Sequence, residues 1–447
     1  MAIRNVITCG LEPIDQVLMP FQHFFKSKST GGIILIISAV VALIWANSTW
    51  AASYFSLWET KFTVGYGELA LSKPLLLWVN DGLMAMFFFV VGLEIKREFM
   101  VGELSTRRQA VLPIFAAIGG MVVPAGIYAI FNINGVGAHG WGIPMATDIA
   151  FALGILALLG DRVPYQLKIF LTAVAIVDDI GAVLVIALFY TSEIAGMMLL
   201  LAAALLVVAY IGNKAGIRTP VFYAIIGLIV WVAVLKSGVH STVAGVLMAF
   251  TIPARTTCDA EAFTTNASNL LKEYESAITP GSSVLTNSTM HSALLSMQRI
   301  ATRAQTPLQR LEHGMAPLVD YLIMPIFALA NAGVALGGSM AGAVDTSMIS
   351  VGVALGLFLG KPIGIVLAVI LLVRISGGWP GGMTLRHFIG AGLLGGIGFT
   401  MSLFIAALAF EDQAMLNAAK ASILAASTLA GVAGYLVLKS LPLPEDS

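Results

Sequence analysis

Charge is scarce in this sequence. Asp, Glu, Lys and Arg make up 11% of its 447 residues and 58% of the residues are apolar, whereas an ordinary soluble domain carries roughly 25% charge. That composition points away from a soluble enzyme or binding module and toward a membrane protein. Neither sign of charge is in excess, with 24 basic and 24 acidic side chains, so nothing suggests a nucleic-acid partner. Cysteine is nearly absent: Cys9 and Cys258 lie too far apart in sequence to form a metal or redox motif. The first thirty residues lack an unbroken apolar region, being interrupted by Arg4, Glu12, Asp15, Lys26 and Lys28, and lack a small-residue cleavage site. No signal peptide is expected there, and residues 1–29 are expected to lie along the membrane interface.

What is abundant is long apolar runs. A helix needs about 20 residues to cross about 30 Å of hydrocarbon, and twelve runs qualify, with cores near 30–48, 76–95, 110–131, 139–160, 165–190, 195–212, 218–235, 237–253, 315–336, 346–373, 385–410 and 416–438. Sorting Lys and Arg by the connections this creates puts nineteen on one side and four on the other, with Lys361 inside a span. Positive charge accumulates on the cytoplasmic side, so both termini are expected in the cytoplasm. The expected layout is eight spans over 30–253, a polar cytoplasmic loop over 254–312, four spans over 313–440 and a short tail, 441–447. The loop reads as flexible, with a helical pattern from Leu294 to Leu311. In KFTVGYGELAL, Phe62, Val64 and Tyr66 alternate around glycines, the pattern of a short hairpin, here on the outer face.

Two spans look broken. In HGWGIPMATDIAFALG, Pro144 removes a backbone donor just before Thr147 and Asp148. In FIGAGLLGGIGFTMS, Gly390, Gly392, Gly395, Gly396 and Gly398 crowd a stretch where no water compensates for weakened helix. Glycines also let helices pack closely, but interruptions in corresponding spans of two halves are the mark of an inverted-repeat transporter with its site at the break. The fold expected is all-α and polytopic, about twelve transmembrane helices with inverted-topology repeats, the fourth and eleventh interrupted and crossing.

The stretch AIVDDIGAVLVIAL places Asp178 and Asp179 side by side in a span. One ionised Asp at mid-span costs on the order of 3 kcal/mol, and adjacent anions repel as well. Both effects favour a pair that holds protons or a small cation, with the two competing for the same oxygens. Adjacent helical residues point about 100° apart, so the two acids need not do the same job. Lys361, in LFLGKPIGIV, is the candidate counter-charge, since a buried lysine is tolerated mainly when paired; the alternative is a side chain reaching for the interface. Asp148 is suited to offset half-helix N-termini. Asp81 either packs with Asn80 or serves transport, Glu94, Arg97 and Glu98 form either a solvated helix end or a pH-responsive cluster, and His240 titrates near neutrality or is only hydrogen-bonded.

The segments ATDIAFALG, AVAIVDDIGAVLVIALFYT, LKSGVHSTVAGV, RLEHGMAPLVDYLIMPIFALANAG, GKPIGI and GGIGFTMSLFIA together resemble the NhaA-type sodium/proton antiporters over nearly the whole chain. The resemblance implies a bacterial inner-membrane transporter, not an enzyme, with no cofactor, that exports Na⁺ or Li⁺ against inward protons at two H⁺ per cation. It implies that Asp178 and Asp179 bind the ion and carry protons, with Asp179 in direct cation contact and Asp178 paired with Lys361. It places Thr147 and Asp148 at the helix crossing, Asp81 on the cytoplasmic approach, and Glu94, Glu98, His240, Glu312 and His313 in the pH response. The outer hairpin would serve a homodimer, and the 254–312 loop is longer than the family pattern. An intramembrane aspartyl protease needs its aspartates on separate helices, which the adjacent pair does not provide, and a channel would use carboxylate rings from several subunits.

Overall fold

A computed structural model describes residues 28–65, 70–191, 194–256, 258–279, 283–335, 344–376, 379 and 383–441. The interfacial reading of the N-terminal segment and nearly all of the tail fall outside them. In chain order the helices are α1 (Lys28–Ala46), α2 (Ala51–Glu59), α3 (Leu75–Val101), α4 (Arg107–Asn132), α5 (Ile149–Leu159), α6 (Tyr165–Phe189), α7 (Gly196–Lys214) and α8 (Pro220–Leu235). They continue with α9 (Thr242–Thr251), α10 (Ala260–Ser276), α11 (Ser288–Ala304), α12 (Pro307–Asn331), α13 (Thr346–Ile375), α14 (Leu385–Gly395), α15 (Phe399–Ala409) and α16 (Gln413–Lys439). Strands β1 (Lys61–Val64) and β2 (Leu71–Pro74) form an antiparallel hairpin in the register Lys61↔Pro74 to Val64↔Leu71; its tip lies outside the described residues.

Among the described residues, eight helices are long and apolar enough to cross a membrane, or ten if each bent pair is one span. The bent pairs are α1 with α2, turning by 112°, and α14 with α15, turning by 45°. The other two of the twelve runs expected from the sequence are α8, with sixteen residues, and α9, with ten. Ten residues at 1.5 Å each give α9 about 15 Å, half a bilayer core. An apolar run over 237–253 therefore overstates the helix it contains, because Lys236 to Ser241 forms a turn around Gly238 at φ 84°. Many large apolar side chains, among them Ile130, Leu188 and Leu200, point outward from the protein, as helices do when their solvent is lipid.

The chain divides into two compact units. The larger holds residues to 87, 98–191 and 318 onward. Helices α4 and α13 approach closely: a Cβ on Gly119 would fall 2.3 Å from the Gly364 carbonyl oxygen, and one on Gly364 would fall 2.1 Å from that of Gly119. The smaller unit holds 88–97 and 194–317, and is built on a core that includes Leu93, Val230, Ala244, Ala249 and Leu308.

The 254–312 stretch, expected to be a flexible loop with a helical pattern from Leu294 to Leu311, contains α10 and α11 packed side by side. The signals were in its polar residues. Asp259 Oδ1 accepts from the Ala262 N–H at 2.8 Å, and Asn287 Oδ1 accepts from Thr289 and Met290 N–H at 3.0 and 3.2 Å. Both are N-caps, which satisfy orphan donors and start a helix where composition alone suggests a loop.

The Gly119 contact yields a direct test. Gly119→Ala should destabilise detergent-solubilised protein by about 1–3 kcal/mol through overpacking, whereas Gly126→Ala, with nothing within 4 Å of its added carbon, should be neutral or slightly stabilising. Equal melting temperatures for the two variants would contradict the packing.

Candidate functional site

The fourth run begins as a 3₁₀ helix over Ala138–Met145, passes through extended backbone at Ala146, and resumes as α5 after Asp148. Pro144 cannot donate, and Asp148 is a natural N-cap, so the break is written into those residue types. The eleventh run stops at Gly395 and resumes at Phe399. The two breaks touch: the Asp148 N–H donates to the Ile397 carbonyl at 2.6 Å.

One carboxylate serves both resumed helices. Asp148 Oδ1 accepts from the Phe151 N–H of α5 at 3.0 Å, while Oδ2 accepts from the Thr400 N–H and hydroxyl of α15 at 3.1 and 2.5 Å. Each helix N-terminus carries roughly half a positive charge, so two of them offset one Asp in a place without water. The interrupted C-terminal ends are met by donors. Lys361 Nζ donates to the Met145 carbonyl at the end of the 3₁₀ helix, and the Thr147 hydroxyl lies 2.9 Å from the Gly395 carbonyl at the end of α14. Ser402 Oγ donates to the Ile143 carbonyl at 2.7 Å, and Ser427 Oγ accepts from the Phe399 N–H at 3.1 Å.

Beside this crossing, α6 presents Asp178 and Asp179, both buried. Asp178 Oδ2 pairs with Lys361 Nζ at 2.8 Å, with both side chains fully buried, and lies 2.6 Å from the Thr147 hydroxyl. Asp178 Oδ1 is buried with no hydrogen-bond partner. Thr147 has one proton for two neighbours. Given to Asp178 it stabilises the carboxylate; given to Gly395 it leaves a lone pair for a protonated Asp178 to donate into. The geometry therefore accommodates Asp178 in either state. Asp148 and Lys361 cancel as formal charges, as do the two pairs of helix ends, so an ionised Asp178 and Asp179 leave two negative charges beside the crossing.

The remaining sequence-selected residues lie elsewhere. Asp81 sits on a π-helical turn of α3 over Trp78–Leu83 and pairs with Lys73 of β2 at 2.8 Å. The hairpin that carries Lys73 is the element expected on the outer face, so this pair stands at odds with the expected place of Asp81 on the cytoplasmic approach. Asn80 exchanges side-chain hydrogen bonds with Asn331, at 2.8 and 3.4 Å. Glu98 Oε2 accepts from the Glu103 N–H at 3.0 Å, in the larger unit. In the smaller unit, Glu312 is buried and ion-paired with Arg97, His313 is exposed, and Glu94 lies on α3 nearly one turn before Arg97. His240 Nδ1 is 2.7 Å from the Thr242 hydroxyl at the start of α9. Thr400, Ser402 and Ser427 escaped sequence reasoning; only the polarity of GFTMS inside an apolar run hinted at the first two.

A family profile described as Na+/H+ antiporter 1 matches residues 22–438. A protein from Oleidesulfovibrio alaskensis named Na(+)/H(+) antiporter NhaA is 52% identical over 431 residues, covering 96% of this chain and 96% of that one. Another of that name, from Koribacter versatilis, is 50% identical over 428 residues, covering 95% and 92%. A third, from Rhodospirillum rubrum, is 48% identical over 431 residues, covering 94% and 98%.

The double capping by Asp148 is testable without transport. Asp148→Ala strips a charged acceptor from three buried donors and should cost on the order of 3 kcal/mol or more, while Thr400→Val removes one side-chain donor and should cost about 1 kcal/mol. Thermal melting of purified protein ranks them, and an Asp148→Ala variant as stable as Thr400→Val would refute the capping.

Proposed function

Since this chain belongs to the Na+/H+ antiporter 1 family, we propose that it exports Na⁺, and Li⁺ in its place, in exchange for inward protons, with Asp178 and Asp179 alternating between proton-loaded and cation-loaded states. The observation that carries this reading is the buried Asp178 with one oxygen on Lys361 and the other unpartnered, next to a second buried acid. Asp179 and the open Asp178 oxygen supply a hard, all-oxygen environment suited to a small alkali cation. Lys361 and Asp148 hold the helix crossing electrically neutral while the doublet changes its load. Protons and Na⁺ cannot occupy the same oxygens together, so a doublet that alternates exposure between the two faces exchanges one for the other.

At two protons inward per Na⁺ outward, one positive charge enters per cycle, and each 100 mV of membrane potential contributes about 2.3 kcal/mol toward expulsion. No cofactor enters the reading. The chain would cross the bacterial inner membrane twelve times as inverted repeats with both termini in the cytoplasm, α8 and the short α9 included, and the β1–β2 hairpin would join two copies. Glu312, buried against Arg97, is the best placed group for a pH response, with Glu94, Glu98, His240 and His313 as further contributors. Asp81 and Lys73 belong to the outer end of the route.

The test is Na⁺-driven proton efflux from acid-loaded everted vesicles. Asp179→Asn and Asp178→Asn should each reduce exchange at least roughly tenfold at equal expression, because an amide neither takes up a proton nor carries the negative charge that holds a cation. Wild-type exchange in the double Asn variant would refute the reading.

A further inference from the structure

The end of α9 is held in a way that packing alone does not require. The last turn of any helix leaves orphan carbonyls, and here those of Phe250, Thr251, Ile252 and Pro253 are each taken by a donor from another element. Lys96 Nζ donates to Phe250 at 2.7 Å and also to Ile252, Asn213 Nδ2 donates to Thr251 at 2.7 Å, and the Leu308 N–H donates to Pro253 at 3.1 Å. Arg218 continues the row on the Arg255 carbonyl at 2.5 Å. One turn before Lys96, a Cβ on Gly92 would lie 2.7 Å from the Ala249 Cβ and 3.1 Å from the Val246 Cα, so α3 and α9 run in contact and the lysine is delivered onto the end of α9.

The next residue makes the other connection. Arg97 points about 100° around α3 from Lys96 and pairs with the buried Glu312 of α12. Pro253 and Leu308 are themselves hydrogen-bonded, so the whole excursion through α10 and α11 leaves and returns through one neck. Two adjacent cations on α3 grip that neck, Lys96 on the departing side and Arg97 on the returning side. Asn213 and Arg218 also hold the departing side, but from α7 and the turn after it, and neither lies on the helix that carries Arg97.

We propose that Lys96 is a positioning residue for the pH response: by fixing α3 to the end of α9, it keeps the Arg97 guanidinium in register with Glu312. This rests on the reading of Glu312 as a pH-responsive group. Within the smaller unit, the titratable and charged groups on the elements around the neck are Glu94, Lys96 and Arg97 on α3, Lys214 on α7, Arg218 and Arg255 in the adjoining turns, His291, Arg299 and Arg303 on α11, and Arg310, Glu312 and His313 on α12; α9 carries none. Losing the clamp loosens Arg97 from Glu312 and removes a nearby cation. Both changes favour the protonated form of a carboxylate, so exchange should need more alkaline conditions to reach half its maximal rate.

The experiment is the pH profile of Na⁺-driven proton efflux in everted vesicles for K96M, K96R, E312Q, N213L and the K96M/E312Q double variant. K96M should move half-activation to higher pH by roughly half a unit with maximal rate retained. K96R, still cationic and able to fork onto two carbonyls, should restore most of the shift. N213L, which unties the same carbonyl row from α7, should leave the profile in place, and the double variant should shift no further than E312Q, because groups acting through one contact are not additive. An unmoved K96M profile beside a moved E312Q profile overturns the role of Lys96 alone, as does an additive double variant or an N213L shift equal to that of K96M. An unmoved E312Q profile removes the pH-response reading itself and this role with it.

Discussion

The structure depends on how charge is neutralised where water is absent. Four interrupted helix ends meet in the larger unit, two exposing N–H groups and two exposing carbonyls. Asp148 takes the first pair and Lys361 and Thr147 the second. Each assignment follows from the sign of the local dipole. With the crossing neutral within itself, the two further carboxylates that α6 buries beside it carry the charge that is left.

The same logic explains the division of labour between adjacent acids. Asp178 is engaged with Lys361 and Thr147 through Oδ2, which fixes its position and leaves Oδ1 open. Asp179 points about 100° away from it around α6. Two adjacent acids on one helix are thus presented to different surroundings. At the neck of the smaller unit the pattern recurs in another form: Lys96 and Arg97, adjacent on α3, hold two different partners because helical geometry sends them in different directions.

Much of this was legible in the sequence for physical reasons. An acid or lysine inside an apolar run is costly enough to stand out, which exposed Asp148, Asp178, Asp179 and Lys361, and Pro144 and the glycine cluster at 390–398 marked the breaks through backbone chemistry. Hydroxyl residues gave no such signal: Thr400, Ser402 and Ser427 cost little in a helix, and only the fold shows what they touch. The hairpin was visible through alternation at Phe62 and Val64, yet the partner of Asp81 was not, since a contact with Lys73 depends on a π turn at Trp78–Leu83. Helices α10 and α11 were underestimated because their composition is polar, although Asp259 and Asn287 mark their starts as N-caps. Hydropathy merged α9 with its flanking turn for the opposite reason, since apolar residues continue past the end of the helix.

The central claim is that protons and an alkali cation compete for the carboxylates of Asp178 and Asp179. Calorimetry of Na⁺ binding to purified protein, repeated in buffers of different ionisation enthalpy and across pH, tests it most directly. Competition predicts that Na⁺ binding releases protons into the buffer and that the apparent affinity weakens about tenfold per unit fall in pH for each proton displaced. Binding that releases no protons and keeps one affinity across that range would contradict the account.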